Sequence, residues 1–135
     1  MGKLLHLDTL SAGYGEARVL SGITFSLDHG QSLALLGRNG TGKTTLINSL
    51  IGLTTLQGGS LSFEGQSITS MPPEQRAHAG IGWVPQERNI FRSLTVEENM
   101  TAILRPGAWT VERVYSLFPR LQERRKNLGN QLSGG

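Results

Sequence analysis

Apolar positions along this chain fall into short, differently spaced runs. Residues 4–10 alternate loosely, with Leu4, Leu5, Leu7 and Leu10 apolar, and predict a strand. Ser11-Ala12-Gly13-Tyr14-Gly15 reads as a loop, and a second strand lies within residues 19–27, near Ile23 to Leu27. Asp28-His29-Gly30 is a turn signal. Residues 31–36 are then almost continuously apolar through Leu33, Ala34, Leu35 and Leu36, the pattern of a strand buried on both faces of a parallel sheet. Beyond them Leu46, Ile47, Leu50, Ile51 and Leu53 fall at helical spacing, with Gly52 near the helix end.

The second half turns helical. Residues 58–65 predict a short strand ending in a turn, and Pro72-Pro73-Glu74-Gln75-Arg76 opens a short helix, since proline is tolerated in a first turn. Residues 81–84 predict another strand, stopped by Pro85. A helix over 95–104 takes Thr95 as N-cap, with Glu97 and Glu98 in its first turn, where carboxylates favour the helix dipole. A helix over 110–118 has Val111, Val114, Tyr115 and Phe118 along one apolar face. Residues 120–131 are polar and less regular. The order of elements predicts an α/β fold: an antiparallel β edge, a strand–loop–helix core and a helical part at the C-terminal end.

Composition narrows the function classes. A chain of 135 residues forms one small domain, and 37% hydrophobic with 17% charged residues is a soluble globular balance. No apolar run approaches the roughly 20 residues of a membrane span, and no signal peptide is read at the N-terminus, so the expected home is the cytoplasm. With no cysteine there is neither disulfide nor thiolate chemistry. The net charge is +3, and Arg124, Arg125 and Lys126 contribute to it without interleaved aromatics. That cluster reads as a solvated helical face, and no nucleic-acid partner is expected.

The chemistry concentrates in Gly37-Arg38-Asn39-Gly40-Thr41-Gly42-Lys43-Thr44, between the predicted buried strand and the amphipathic helix. This is the P-loop pattern in its proper context. Glycines let the backbone curl with its N–H groups pointing inward, in conformations that a Cβ opposes. The helix start adds free N–H groups and a positive dipole end. Lys43 suits the β- and γ-phosphates, Thr44 suits Mg²⁺, a hard cation that prefers oxygen, and Thr45 is a candidate donor to the α-phosphate. Five residues outside the loop can join this chemistry. Tyr14 has a flat apolar face, suited to packing or to a base. Gln86 is neutral and both donates and accepts, so it is either a surface residue or a ligand for Mg²⁺ or water. Ser133, Gly134 and Gly135 can turn a hydroxyl and backbone N–H groups toward a phosphate.

In these features the chain resembles the ATP-binding subunits of ABC transporters. Tyr14 stands where that family places an aromatic that stacks on adenine. Residues 37–45 have the family's Gly-x-Asn-Gly-x-Gly-Lys-Thr-Thr form, with Gly37, Asn39, Gly40, Gly42, Lys43, Thr44 and Thr45 as its phosphate and Mg²⁺ residues. Gln86 ends a predicted strand, as the family's Q-loop glutamine does, and Leu132-Ser133-Gly134-Gly135 looks like the start of the signature motif. The runs Val84-Pro85-Gln86-Glu87-Arg88-Asn89-Ile90-Phe91 and Leu94-Thr95-Val96-Glu97-Glu98-Asn99, with Leu117-Phe118-Pro119-Arg120-Leu121, Gln66-Ser67-Ile68-Thr69 and Arg76-Ala77-His78-Ala79-Gly80-Ile81, look like the branched-chain amino acid importers and their urea/amide-importer relatives.

The resemblance implies ATP and Mg²⁺ as cofactors and Lys43 and Gln86 in catalysis. It implies a second ATPase subunit across the nucleotide, transmembrane permease partners, and a place on the inner face of the membrane. It divides the chain into a β edge and P-loop core over 1–92 and a helical subdomain over 93–135. In the family an apolar strand ending in Asp, then a Glu and a His, follow the signature motif. Residues 1–135 do not contain them. The expectation is therefore the front part of a longer ATPase that, as this chain alone, binds nucleotide without turnover, is poorly stable or pairs with another copy. A GTPase would carry an Asn-Lys-x-Asp run, which this sequence lacks, and the importer-like segment from Gln86 to Asn99 counts against an ABC protein of DNA repair or translation.

Overall fold

The computed structural model describes residues 3–85, 90–102 and 104–132. They form two compact units, Met1–Trp83 and Val84–Gly135.

The first unit is built on a four-stranded antiparallel sheet. β1 (Lys3–Tyr14) pairs with β2 (Ala17–Asp28) on one side and β3 (Thr55–Phe63) on the other, and β4 (Gln66–Ser67) extends β3. Leu7 and Leu10 are three apart, a spacing that a regular strand sends to opposite faces, yet both are fully buried. A bulge at Thr9 resolves this. The register slips between Leu7 and Leu10 against β2 and between Asp8 and Ser11 against β3. Thr9 takes the left-handed φ of 47°, with its N–H satisfied by Thr24 Oγ1 at 2.8 Å. The extra residue re-phases the strand so that Leu7, Leu10 and Ala12 all reach a core shared with Leu20, Leu46, Leu61 and Ile68.

The strand reading for 4–10 is thus too short. Residues 11–14, predicted as loop, are the end of β1. Their small side chains signal a turn, but Ala12 pairs with Leu20 and Leu56, and Gly13 with Arg18 and Thr55. Two further expectations fail. Residues 31–36 and 81–84 carry no strand, and Leu36 and Val84 are 87% and 93% exposed. A strand of a parallel sheet takes its hydrogen bonds from neighbouring strands, and no described segment pairs with either run.

Two helices complete the unit. α1 (Lys43–Ile51) packs Leu46 on the sheet, and α2 (Pro73–Ala79) follows Pro72. The C-terminal end of α1 is closed. Gly52 adopts a left-handed φ of 97°, and the N–H groups of Gly52 and Leu53 both reach the Asn48 carbonyl, at 3.0 and 2.8 Å. Arg76, almost fully buried, donates through Nη1 to the carbonyls of Ser49 (2.7 Å) and Leu50 (3.1 Å) and through Nε to that of Met71 (2.8 Å). Burial lowers the pKa of this guanidinium from its ordinary value, but an arginine keeps its charge in any protein setting, so a cation stands at the negative end of α1.

The second unit contains α3 (Val96–Thr101), α4 (Val111–Leu117), α5 (Pro119–Glu123) and a 3-10 turn over Gly129–Gln131. α3 is shorter than the predicted 95–104, but its start is as expected. Thr95 Oγ1 accepts from Glu98 N (3.1 Å) while Glu98 Oε1 accepts from Thr95 N (3.0 Å), a complete capping box. The carbonyls of Asn127 and Arg125 take the N–H groups of Val96 (2.9 Å) and Glu97 (3.1 Å). In α4, Tyr115 is buried and its hydroxyl donates to Glu97 Oε1 at 3.3 Å. Phe118, assigned above to the same face, is exposed instead. Pro119 bars the helical conformation for the residue before it, so Phe118 leaves the helix with φ −129° and ψ 75°.

Candidate functional site

The loop before α1 is shaped by three glycines. Gly40 and Gly42 have left-handed φ values of 80° and 101°. A Cβ on Gly37 would stand 2.9 Å from Thr41 Oγ1, and one on Gly42 would stand 2.9 Å from Leu20 Cδ2. Thr41 Oγ1 donates to the Arg38 carbonyl at 2.7 Å and closes the loop on itself. The Lys43 ammonium folds back over it and donates to the carbonyls of Gly37 and, at 2.7 Å, Arg38. Asn39 and Thr44 are exposed beside it, and Thr45 is buried.

Gly42 is the N-cap of α1 and offers no side chain. The first turn carries no acidic residue, and the first intrahelical bond runs from Leu46 N to Gly42 O at 2.9 Å. The N–H groups ahead of Leu46 are therefore left for water or a ligand. Free donors, a dipole end, a mobile ammonium and a backbone cradle that side chains would fill are the donor set for an anionic oxygen ligand, and a polyphosphate fits it. Among the described residues no three His, Asp or Glu gather into a metal site. A divalent cation at the Thr44 hydroxyl would also take oxygens from the phosphates and water, as Mg²⁺ commonly does.

Tyr14 is delivered to this helix by a hairpin. Gly15 and Glu16 form a two-residue turn between β1 and β2, with Gly15 at φ 61°. A Cβ on Gly13 would collide with the Ala17 carbonyl, so only glycine allows this crossing. Gln57 on β3 fastens the tip. Its Nε2 donates to the carbonyls of Gly15 (3.1 Å) and Ala17 (3.3 Å), and its Oε1 accepts from Arg18 Nε (3.3 Å). The Tyr14 ring is 46% exposed, and its hydroxyl lies 3.3 Å from Thr45 Oγ1 and accepts from Asn48 Nδ2 at 3.3 Å. These bonds, Thr45's first and Asn48's second, lower the phenol pKa from its ordinary value.

The structure thus gathers Tyr14, Gly37, Asn39, Gly40, Gly42, Lys43, Thr44 and Thr45 around one helix start. It adds Asn48 and Gln57, which sequence reading missed. Gln57 carries no motif, whereas Asn48 could have been flagged as a polar residue one turn after Thr45. Gln86, Ser133, Gly134 and Gly135 lie outside the described residues.

Comparison with known proteins places this site in context. The ABC transporter family profile matches residues 20–135. A probable branched-chain amino acid transport ATP-binding protein, LivF, of Archaeoglobus fulgidus is 36% identical over 98% of this chain and 58% of its own length. The lipopolysaccharide export system ATP-binding protein LptB of Haemophilus influenzae is 35% identical, with the same coverage of 98% and 58%. A solved structure of an ATP-binding subunit of an ABC transporter superposes with a TM-score of 0.77 at 32% identity, covering 96% of this chain and 56% of that one. The chain therefore spans somewhat more than half the length of the relatives that it matches.

Proposed function

Because the chain belongs to the ABC transporter family, among its ATP-binding subunits, we propose that residues 37–45 hold the phosphates of ATP with Mg²⁺. The observation that carries this reading is the bare N-terminus of α1, ringed by Gly37, Gly40, Gly42 and Lys43. Lys43 exchanges the Gly37 and Arg38 carbonyls for phosphate oxygens, and the N–H groups at the start of α1 meet the same anion. Thr44 supplies a hydroxyl to Mg²⁺, which when bound neutralises phosphate charge. Tyr14 offers its exposed ring face to the base. Gln86 as a Mg²⁺ and water ligand, and Ser133, Gly134 and Gly135 facing the nucleotide of a second ATPase subunit, follow from the family resemblance.

The larger role rests on the same reading. The longer protein hydrolyses ATP in a two-subunit sandwich on the inner face of the membrane, drives transmembrane permease subunits, and divides into a core over 1–92 and a helical subdomain over 93–135. The likeness to LivF supports branched-chain amino acids as cargo. The nearly equal likeness to LptB supports a second reading, lipopolysaccharide export. Deleting the gene in its native cell separates them: loss of labelled leucine uptake supports the first, and lipopolysaccharide retained at the inner membrane supports the second. For the site itself, Lys43→Ala should weaken ATP binding at least about tenfold, the loss of one charge-assisted contact. Unchanged affinity, measured by calorimetry, removes the phosphate-loop assignment.

A further inference from the structure

Hydroxyl groups on a helix commonly turn back onto the preceding turn, and α1 shows one doing so: Ser49 Oγ donates to the Thr45 carbonyl at 2.7 Å. Thr45 is differently placed. It is buried, and its Oγ1 lies beside the Tyr14 hydroxyl, which in turn accepts from the Asn48 amide. An inventory of protons gives this chain of groups a direction. The Asn48 NH₂ can only donate, and the phenol, once its oxygen has accepted that bond, still has its own proton to give. At the other end a phosphate oxygen can only accept. When a phosphate at the start of α1 takes the Thr45 proton, Thr45 can offer Tyr14 only a lone pair. A single arrangement satisfies both ends, with Asn48 donating to Tyr14, Tyr14 to Thr45, and Thr45 to phosphate.

We propose that Tyr14 and Asn48 are positioning residues that hold the Thr45 hydroxyl as a hydrogen-bond donor to the nucleotide phosphates, an inference that rests on the phosphate-loop reading above. Tyr14 then has two separable parts. The ring face serves the base, and the hydroxyl, fixed by the hairpin tip and Gln57, serves the phosphate end. Burial of Thr45 matters to the arrangement, because hydrogen-bonded groups polarise one another more strongly when water is excluded.

The test uses the full 135-residue chain and two probes, ATP and inorganic tripolyphosphate, which has no base. Tyr14→Phe keeps the ring and removes only the hydroxyl. It should weaken both probes by the same factor, about three- to tenfold, the range of one hydrogen bond. Asn48→Leu should do likewise. The decisive measurement is the cycle with Thr45→Val: once Thr45 has no hydroxyl, Tyr14→Phe should cost nothing more. Stacking alone, or a loss of fold stability, does not produce that coupling. Tripolyphosphate binding that is unchanged in Tyr14→Phe, or losses that add in full, overturns the proposal. Lys43→Ala separates the two levels. If it weakens tripolyphosphate binding while Tyr14→Phe does not, only the relay falls. If it too has no effect, the phosphate-loop reading falls and the relay with it.

Discussion

α1 and α3 begin in opposite ways. At the start of α3 the described donors are accounted for: Glu98 N bonds Thr95, Val96 N bonds Asn127, and Glu97 N bonds Arg125. Two carboxylates, Glu97 and Glu98, sit in its first turn. At the start of α1 the cap is a glycine, no side chain closes the turn, no acid is present, and a lysine stands first. Helix starts repel or attract anions according to these choices. α3 is finished as structure, whereas α1 is left unfinished at the end that meets the glycine-rich loop, and its other end is closed by Gly52 and Arg76. An open helix end is tolerable when the rest of the helix is this firmly held.

The contrast can be broken by giving α1 what α3 has. Thr44→Glu places a carboxylate in the first turn of α1, where it would face phosphate oxygens at short range. A like charge at about 4 Å and an effective dielectric of about 20 costs about 4 kcal/mol, so ATP binding should fall roughly a hundredfold or more, as read by calorimetry. The helix itself should persist in the circular dichroism spectrum. Next in size, Arg76→Ala uncaps the closed end. Leaving the buried Ser49 carbonyl and the half-buried Leu50 carbonyl unpaired should cost about 2 kcal/mol or more in urea unfolding. An unaltered midpoint would mean that water replaces the guanidinium without loss.

Thr95→Ala removes the cap of α3 and should cost about 1 kcal/mol while ATP affinity stays at its original value. A fall in affinity would tie α3 to the site and end the contrast. The smallest effect is set by acid. The backbone and side-chain hydrogen bonds to Thr95 hold the Glu98 carboxyl below its ordinary pKa. A depressed folded pKa stabilises above the unfolded value and is lost as pH falls through the folded one. The Thr95 amide resonance should therefore titrate below the ordinary range of a glutamate carboxyl, while residues 42–46, with no acidic side chain, should stay still there.

The two helix starts also differ in how far they could be read in advance. Thr95, Glu97 and Glu98 announce α3, and the glycine-lysine-threonine run announces α1, because caps and phosphate loops are local and depend on residues a turn apart. The apolar face of α1 was legible only in part: Leu46 is buried and Leu50 packs against the core, but Ile47 and Leu53 are exposed, and the polar Thr45 and Ser49 are buried instead. Much of what failed was set by partners distant in sequence, although Phe118 was misread for a local reason, the proline beside it. Residues 11–14 look like a turn and are strand because β2 and β3 flank them. Residues 31–36 look like a buried strand and are exposed because nothing described pairs with them. Asn48, Gln57 and Arg76 hold the site in place through specific hydrogen bonds, which leave no periodic trace.

The sheet has one more consequence, which concerns the order in which the protein is made. Its four strands lie within residues 3–67 and, among the described residues, pair only with one another, and α1 with its loop falls between β2 and β3. A chain leaving the ribosome N-terminus first can close this ladder as soon as β4 clears the exit tunnel. The hairpin bearing Tyr14, the loop and the helix are then already in hand. Nascent chains arrested just past β4 should resist protease over the sheet, and those arrested before β3 should not.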